Sequence, residues 1–150
     1  MMKFRSRVAG VGLAIATLMG CNGPLLVMPG GALDGDVKPA PQDWTPLVPF
    51  GTVQLETNPN EPYSVNIACV LVDGVPQINA GDVETQWVQN MNENPDVRLR
   101  VHGDVYELKA TRITDRAGIA AFGTEWMKQG SWARDPSQLD EVWIYRLDPR

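Results

Sequence analysis

The stretch WVQNMNENPDV, residues 87–97, decides how the middle of this chain folds. Its first half belongs to an apolar pattern of helical spacing. The residues of that pattern are Val83, Trp87, Val88 and Met91. Asp82 precedes the pattern as a capping residue, and Pro95 ends it. We therefore predict a helix that begins at Asp82, ends before Pro95 and leads directly into a strand.

Downstream of Pro95 the apolar period changes from helical spacing to two. Val97, Leu99 and Val101 alternate with charged residues, and His102-Gly103-Asp104 forms a turn into a returning strand over residues 105–113. The basic residues of this hairpin are expected on its solvent-exposed face. They are Arg98, Arg100, Lys109 and Arg112. Asp115 then caps a second helix.

Upstream, three short strands are predicted at residues 52–56, 64–71 and 75–79. Asp73-Gly74 is a strong hairpin signal between the second and third, and Pro76 favours an edge or irregular position for the third. A closing strand follows at residues 141–147. The order is β-β-β-α-β-β-α-β, a mainly β fold with two helices. Because hairpins join most of its strands, we expect a small barrel or a strongly curved sheet.

The N-terminus predicts export. Lys3, Arg5 and Arg7 precede an uncharged run over residues 8–19, which is too short to cross a bilayer as a helix. The run ends in LMGC, residues 18–21, which resembles the lipobox of bacterial lipoproteins. That resemblance implies a signal peptide over residues 1–20 and a lipid on Cys21, whereas an ordinary signal peptide cut nearby would leave Cys21 free. Because an Asp after the cysteine is associated with inner-membrane retention in such lipoproteins, the resemblance implies that Asn22 favours the outer membrane, facing the periplasm, within the cell envelope.

Composition bounds the remainder of the chain. Residues 21–43 are rich in Gly and Pro and predict a flexible tether, and residues 44–150 suffice for one domain. Removal of residues 1–20 takes three of the 13 basic residues and none of the 18 acidic ones, so the charge becomes 10 − 18 = −8. That charge argues against nucleic acid as a partner. Cys69 lies in an apolar strand and is expected to be an inert core thiol.

Residues 87–97 also resemble a pattern of the flavin-binding split-barrel group, W-x-x-N-hydrophobic-x-x-N-P-x-V. This group includes pyridoxamine-phosphate-oxidase-like proteins and deazaflavin-dependent nitroreductases. Further matches occur at Gly103, Tyr106, Ala110, Ile113 and Asp115, and the resemblance covers about residues 52–128. It implies a split β-barrel, a homodimer, and FMN, deazaflavin or haem in a groove between subunits. The residues that would line such a groove are Asn66, Asn79, Ala80, Gly81 and Trp87.

One feature departs from that group. Residues 39–97 contain no Lys or Arg, although a flavin phosphate is usually held by charge-assisted hydrogen bonds from such residues. The favoured function is therefore a membrane-anchored, non-catalytic binding or structural module. The alternative is a flavin- or deazaflavin-dependent oxidoreductase, nitroreductase-like, acting on a small molecule. No catalytic residue is assigned, and the single histidine, His102, does not support a metal site.

Overall fold

The computed structural model describes residues 22–48, 51–130 and 134–150. The predicted signal peptide and Cys21 lie outside the described residues. Among the helices of the described part, none has the length and apolar character needed to span a bilayer.

Seven strands, two α-helices and a short 3₁₀ turn, Pro136–Gln138, make up the described chain. The strands are β1 (Val37–Lys38), β2 (Gly51–Thr57), β3 (Tyr63–Val72), β4 (Val75–Ala80), β5 (Asp96–Val101), β6 (Asp104–Ile113) and β7 (Trp143–Pro149). The helices are α1 (Gln86–Glu93) and α2 (Arg116–Met127).

Within these ranges, six strands close into an antiparallel barrel in the order β6-β5-β2-β3-β4-β7, and β7 returns to pair with β6. The short β1 joins β6 in parallel from outside the closed ring. The predicted mainly β fold, a split β-barrel with the order β-β-β-α-β-β-α-β, is confirmed, with β1 as an addition.

Alternating side chains fill the barrel. In β5, Val97, Leu99 and Val101 are buried, as their spacing predicted, and they join a core that includes Leu55, Cys69 and other residues of the inward faces. Outside the barrel, α2 lies against the sheet, where Phe122 packs with Val70 and Ile144. The barrel therefore buries one face of most strands, and α2 covers part of the other.

Turn residues fix the two tightest hairpins. Asp73 and Gly74 have φ of 51° and 75°, and His102 and Gly103 have φ of 51° and 94°. Two successive residues with positive φ suit a two-residue hairpin, whose twist matches that of the flanking strands. Both turns lie where the sequence predicted them.

The two helix starts differ in how well they were predicted. Asp115 caps α2, accepting a hydrogen bond from the Gly118 amide at 2.8 Å. The expected cap of α1 at Asp82 is wrong, because that helix begins at Gln86 after Thr85. Asp82 instead accepts from the Glu84 amide at 2.9 Å and so closes the turn before the helix.

The third strand of the barrel is not an edge strand, so the first of the two positions that Pro76 favoured is wrong. β4 lies between β3 and β7, and Pro76 pairs with Leu71 on the β3 side. The ladder to β7 begins one residue later, at Gln77. The amide that proline lacks is therefore not required by the β7 ladder.

The segment expected to be a tether lies on the barrel instead. In this N-terminal strap, residues 22–38, Gly30 exchanges two backbone hydrogen bonds of 2.9 Å with Ser64 of β3. Farther along, Leu33 is buried and β1 pairs with β6. A Cβ on Gly30 would overlap the backbone of Gly23, so glycine allows the strap to cross itself. Sheet pairing and burial therefore hold a segment that has no regular period.

Candidate ligand site at the split of the barrel

The candidate site arises where two neighbouring strands of the barrel separate. The β3–β4 ladder runs from the Val72–Val75 pair to the Cys69–Ile78 pair. Beyond it, residues 63–68 of β3 pair with β2, while Asn79 and Ala80 of β4 pair with β7. A cleft opens between the diverging strands, and α1 begins beside it.

The cleft has a volume of about 380 Å³. Its walls come from both separated strands, the start of α1 and the strap. The lining residues are Leu26, Val27, Met28, Tyr63, Val65, Asn66, Ile67, Asn79, Thr85 and Trp87. This lining combines aliphatic and aromatic side chains with two amides and hydroxyl groups.

Three of the five groove residues expected from the sequence meet in this cleft. Asn66 comes from β3, Asn79 from β4, and Trp87 is the second residue of α1. Ala80 is buried and does not line the cleft, and Gly81 is exposed just after β4. A Cβ on Gly81 would meet no atom within 4 Å, so no close contact requires glycine there.

The amide of Asn66 is already used inside the chain. Its Nδ2 donates to the carbonyl of Leu26 at 2.9 Å and to that of Pro24 at 3.3 Å. Asn66 therefore fixes the strap against β3 and holds residues 26–28 as one wall of the cleft. Sequence reasoning missed this wall, because the strap was assigned to a tether.

No charged side chain lines the cleft among the described residues. Three of the four basic residues of the β5–β6 hairpin have partners outside the cleft. Arg98 pairs with the buried Glu56 at 3.0 Å, Arg100 donates to the Gln54 Oε1 at 2.9 Å, and Arg112 lies 3.7 Å from the ring centroid of Trp143. The alternation predicted that Arg98 lies on the solvent-exposed face, but its side chain is instead paired with the buried Glu56. None of these three supplies positive charge to the cleft lining.

The asparagines of residues 87–97 have structural partners. Asn90 is buried, donates to the Thr57 Oγ1 at 3.0 Å and accepts from the Gln86 Nε2 at 2.8 Å. Asn94 accepts from the Asp96 amide at 3.0 Å and so shapes the turn from α1 into β5. These contacts tie α1 to the barrel and explain why the pattern predicts the fold.

Cys69 is buried in the barrel core, and burial raises the pKa of its thiol from 9.0 to about 12. The thiol is therefore neutral near pH 7, as an inert core residue should be. His102 is exposed in the β5–β6 turn. In the described ranges no cluster of His, Cys, Asp and Glu could hold a metal ion.

The fold and this cleft define a split β-barrel with an uncharged site at its split. No protein-family model matches the chain. No curated protein matches it either.

Solved structures share the fold. A conserved hypothetical protein from Mycobacterium tuberculosis matches with a TM-score of 0.55 and 13% identity over 73% of this chain and 86% of that one. A haem-binding protein from Mycobacterium smegmatis matches with a TM-score of 0.54 and 12% identity over 65% and 46%. A putative pyridoxamine 5′-phosphate oxidase from Listeria innocua matches with a TM-score of 0.51 and 16% identity over 65% and 82%.

The chain spans about half the length of two of the structures it matches, 46% of the M. smegmatis protein and 47% of an Agrobacterium tumefaciens protein of unknown function. At these identities the likeness concerns the fold. The residues that line the cleft determine whether a flavin, a deazaflavin or haem fits there. Among the described residues, no basic side chain lines the cleft to meet the phosphate of FMN or the propionates of haem. The lining residues do not fit the anionic part of these groups.

Proposed function

We propose that this chain is a membrane-anchored, non-catalytic binding module whose cleft holds an uncharged, largely apolar, planar molecule. The observation that carries the proposal is the lining of the cleft, which in the described part of the chain contains Trp87 and two amides but no charged side chain. Apolar walls with a few polar groups are typical of small-molecule sites. A charged ligand would lose hydration there without gaining an opposite charge.

The walls suggest how such a molecule would be held. Aliphatic side chains of β3 and of the strap provide apolar area, which contributes about 25 cal/mol per Å² removed from water. Trp87 can stack on a flat ring, and Asn79 can donate or accept one oriented hydrogen bond. Asn66 has the separate task of holding the strap wall.

The ligand test compares two forms of one ring. Purified protein is titrated with lumiflavin, which lacks the phosphate, and with FMN, and flavin fluorescence reports binding. We expect lumiflavin to bind at least about tenfold more tightly, a difference of about 1.4 kcal/mol. Trp87→Ala should weaken lumiflavin binding. Trp143→Ala is the control, because that ring contacts Arg112 and does not line the cleft.

Other outcomes would redirect the proposal. Tighter binding of FMN, of the deazaflavin cofactor or of haem than of lumiflavin would contradict an uncharged ligand. FMN or deazaflavin binding followed by reduction of a small molecule would establish the oxidoreductase alternative.

The proposal of a membrane anchor rests on the sequence LMGC at residues 18–21, whose resemblance to a lipobox implies that Cys21 would be the mature N-terminus. Two or more acyl chains on that residue would hold the domain stably at a membrane. Mass spectrometry of the native N-terminus should show an acylated Cys21. Cys21→Ala should shift most of the protein from the membrane fraction to the soluble fraction, and a membrane-bound share equal to that of wild type would contradict the lipid anchor.

A further inference from the structure

Four consecutive large apolar side chains protrude from the strap beside the cleft. Residues 25–28, the apolar tip, form a turn closed by two backbone hydrogen bonds between Leu25 and Met28, of 3.0 and 2.9 Å. Their exposures are 69% for Leu25, 80% for Leu26, 98% for Val27 and 64% for Met28. A protruding group of this kind is typical of a surface that contacts a membrane or another protein.

The tip does not move independently of the barrel. Asn66 donates to the carbonyls of Pro24 and Leu26, and Gly30 pairs with Ser64, so both sides of the tip are bound to β3. A contact made by the tip would therefore also orient the cleft, one wall of which the tip provides.

The position of the tip in the sequence indicates its partner. Leu25 follows Cys21 by four residues, which can extend over at most about 14 Å. The interfacial region on each side of a bilayer is roughly 5–8 Å thick. A lipid on Cys21 therefore keeps residues 25–28 within reach of the bilayer surface.

The lack of charged side chains around the tip also supports a bilayer as its partner. Residues 8–33 contain no charged side chain, so the tip and its flanks carry no ionic group that would have to be desolvated on insertion. The mature chain has a formal charge of 10 − 18 = −8, which opposes attraction to an anionic surface. Insertion of apolar side chains into a bilayer does not depend on such attraction.

We infer that residues 25–28 insert into the surface of a phospholipid bilayer and turn the mouth of the cleft toward the lipid. This inference rests on the proposed anchor at Cys21. The occupant is the bilayer itself, and the cleft then takes its apolar ligand from the membrane rather than from the aqueous phase.

The backbone conformation of the tip allows one substitution that should leave the turn intact. Leu26 has φ of 55°, a left-handed conformation that disfavours leucine and is readily adopted by asparagine. Leu26→Asn should therefore preserve the turn while it removes an exposed apolar side chain. In the Cys21→Ala background, binding to added phospholipid vesicles reports on the tip alone, and Leu26→Asn should lower the vesicle partition coefficient roughly tenfold, since one buried Leu is worth at least about 1.5 kcal/mol.

The direct test places a fluorescent thiol label at the tip of the full, membrane-reconstituted protein. Val27→Cys carries the label, and Val37→Cys is the control, an exposed valine on β1 at the other end of the strap. Cys69 is buried and should not react. We expect bromine-substituted phosphatidylcholine to quench the label at position 27 and aqueous iodide to quench the label at position 37.

The outcomes separate this inference from the anchor. An acylated Cys21 together with iodide quenching at position 27 would overturn the inference alone. Protection from both quenchers, together with dimers in sedimentation, would overturn it in favour of a second copy of the chain. A chain without acyl groups would overturn the anchor, and bromolipid quenching at position 27 with added vesicles would still support insertion of the tip.

Discussion

Arg98 donates hydrogen bonds to both carboxylate oxygens of Glu56, at 3.0 and 3.1 Å, although 42 residues separate the two side chains in sequence. The Leu33 amide donates to the same carboxylate at 2.6 Å, and Arg98 also donates to the Leu33 carbonyl at 3.2 Å. One carboxylate thus joins β2, β5 and the strap, and Glu56 is 3% exposed.

Glu56→Gln should lower the free energy of unfolding by about 2 kcal/mol, because it leaves Arg98 facing a neutral amide in a largely buried site. We expect a smaller loss of stability than for a fully buried ion pair, since the Arg98 side chain is 24% exposed. Urea denaturation measures it. The control is Asp148→Asn, which removes an exposed pair with Arg146 and should cost less than about 0.5 kcal/mol. Equal losses in the two variants would contradict the role given to Glu56.

The hydrogen bond between Asn90 and Thr57 joins α1 to β2 and should contribute to stability as a coupled pair. Asn90→Ala and Thr57→Val should each lower the free energy of unfolding by about 1–2 kcal/mol, because each removes a partner of a buried polar group. The double variant should cost less than the sum, by about 1 kcal/mol. Glu93→Ala, at an exposed position of the same helix, is the control. Strict additivity would show that the two side chains act independently.

Cys69 should affect stability at alkaline pH. Its folded-state pKa of about 12 lies above the ordinary 9.0, so the unfolded chain loses its proton first. The contribution of the neutral thiol is complete below pH 9 and is lost as pH rises toward 12. We therefore expect the stability advantage of wild type over Cys69→Ala to shrink above pH 9. Denaturation at a series of pH values checks this, and a constant difference would contradict it.

Reactivity gives a second measurement on the same thiol. In the native protein at pH 8, Cys69 should react with a disulfide reagent far more slowly than after unfolding, because the thiol is buried and neutral. Fast labelling without unfolding would show that the barrel opens at this position.

Asn66→Ala should loosen the strap without disrupting the barrel. It removes the hydrogen bonds to the carbonyls of Pro24 and Leu26, each worth about 1 kcal/mol. Hydrogen exchange of the Leu25 and Met28 amides should then accelerate roughly fivefold to thirtyfold. Asn79→Ala is the matched control, since Asn79 lines the cleft from the other strand. Unchanged exchange in Asn66→Ala would mean that the Gly30–Ser64 pair alone holds the strap.

The sequence pattern predicted most of the barrel because the residues that determine its strands and turns lie close together in sequence. Alternation at Val97, Leu99 and Val101 marks an inward face, and Asp73-Gly74 supplies the positive φ angles of a hairpin. The start of α1 was predicted wrongly at Asp82, because aspartate closes a turn as readily as it caps a helix. The hydrogen bond that Asp82 accepts from the Glu84 amide lies within one turn.

The candidate site was harder to predict because its contacts are distant in sequence. Asn66, Asn79 and Trp87 come from three elements and were found through the resemblance rather than through periodicity. The strap was missed because Gly30 and Leu33 lie in a segment of irregular period, held by partners such as Ser64 and Glu56. Arg98 was misjudged for the same reason, since alternation gives a face of the strand but not the residue that covers it.

The strap also has a mechanical consequence. A pulling force on residue 22 would reach the Gly30–Ser64 and Leu33–Glu56 hydrogen bonds before it loads the closed barrel. Those few bonds should break first and release residues 22–35 as slack, up to about 50 Å of chain, before the pairing of β1 with β6 is loaded. Single-molecule pulling between residues 22 and 150 should show this short early extension at low force, and a single high-force event would contradict it. The released segment would let an anchored domain lengthen under a pulling force while its barrel stays folded.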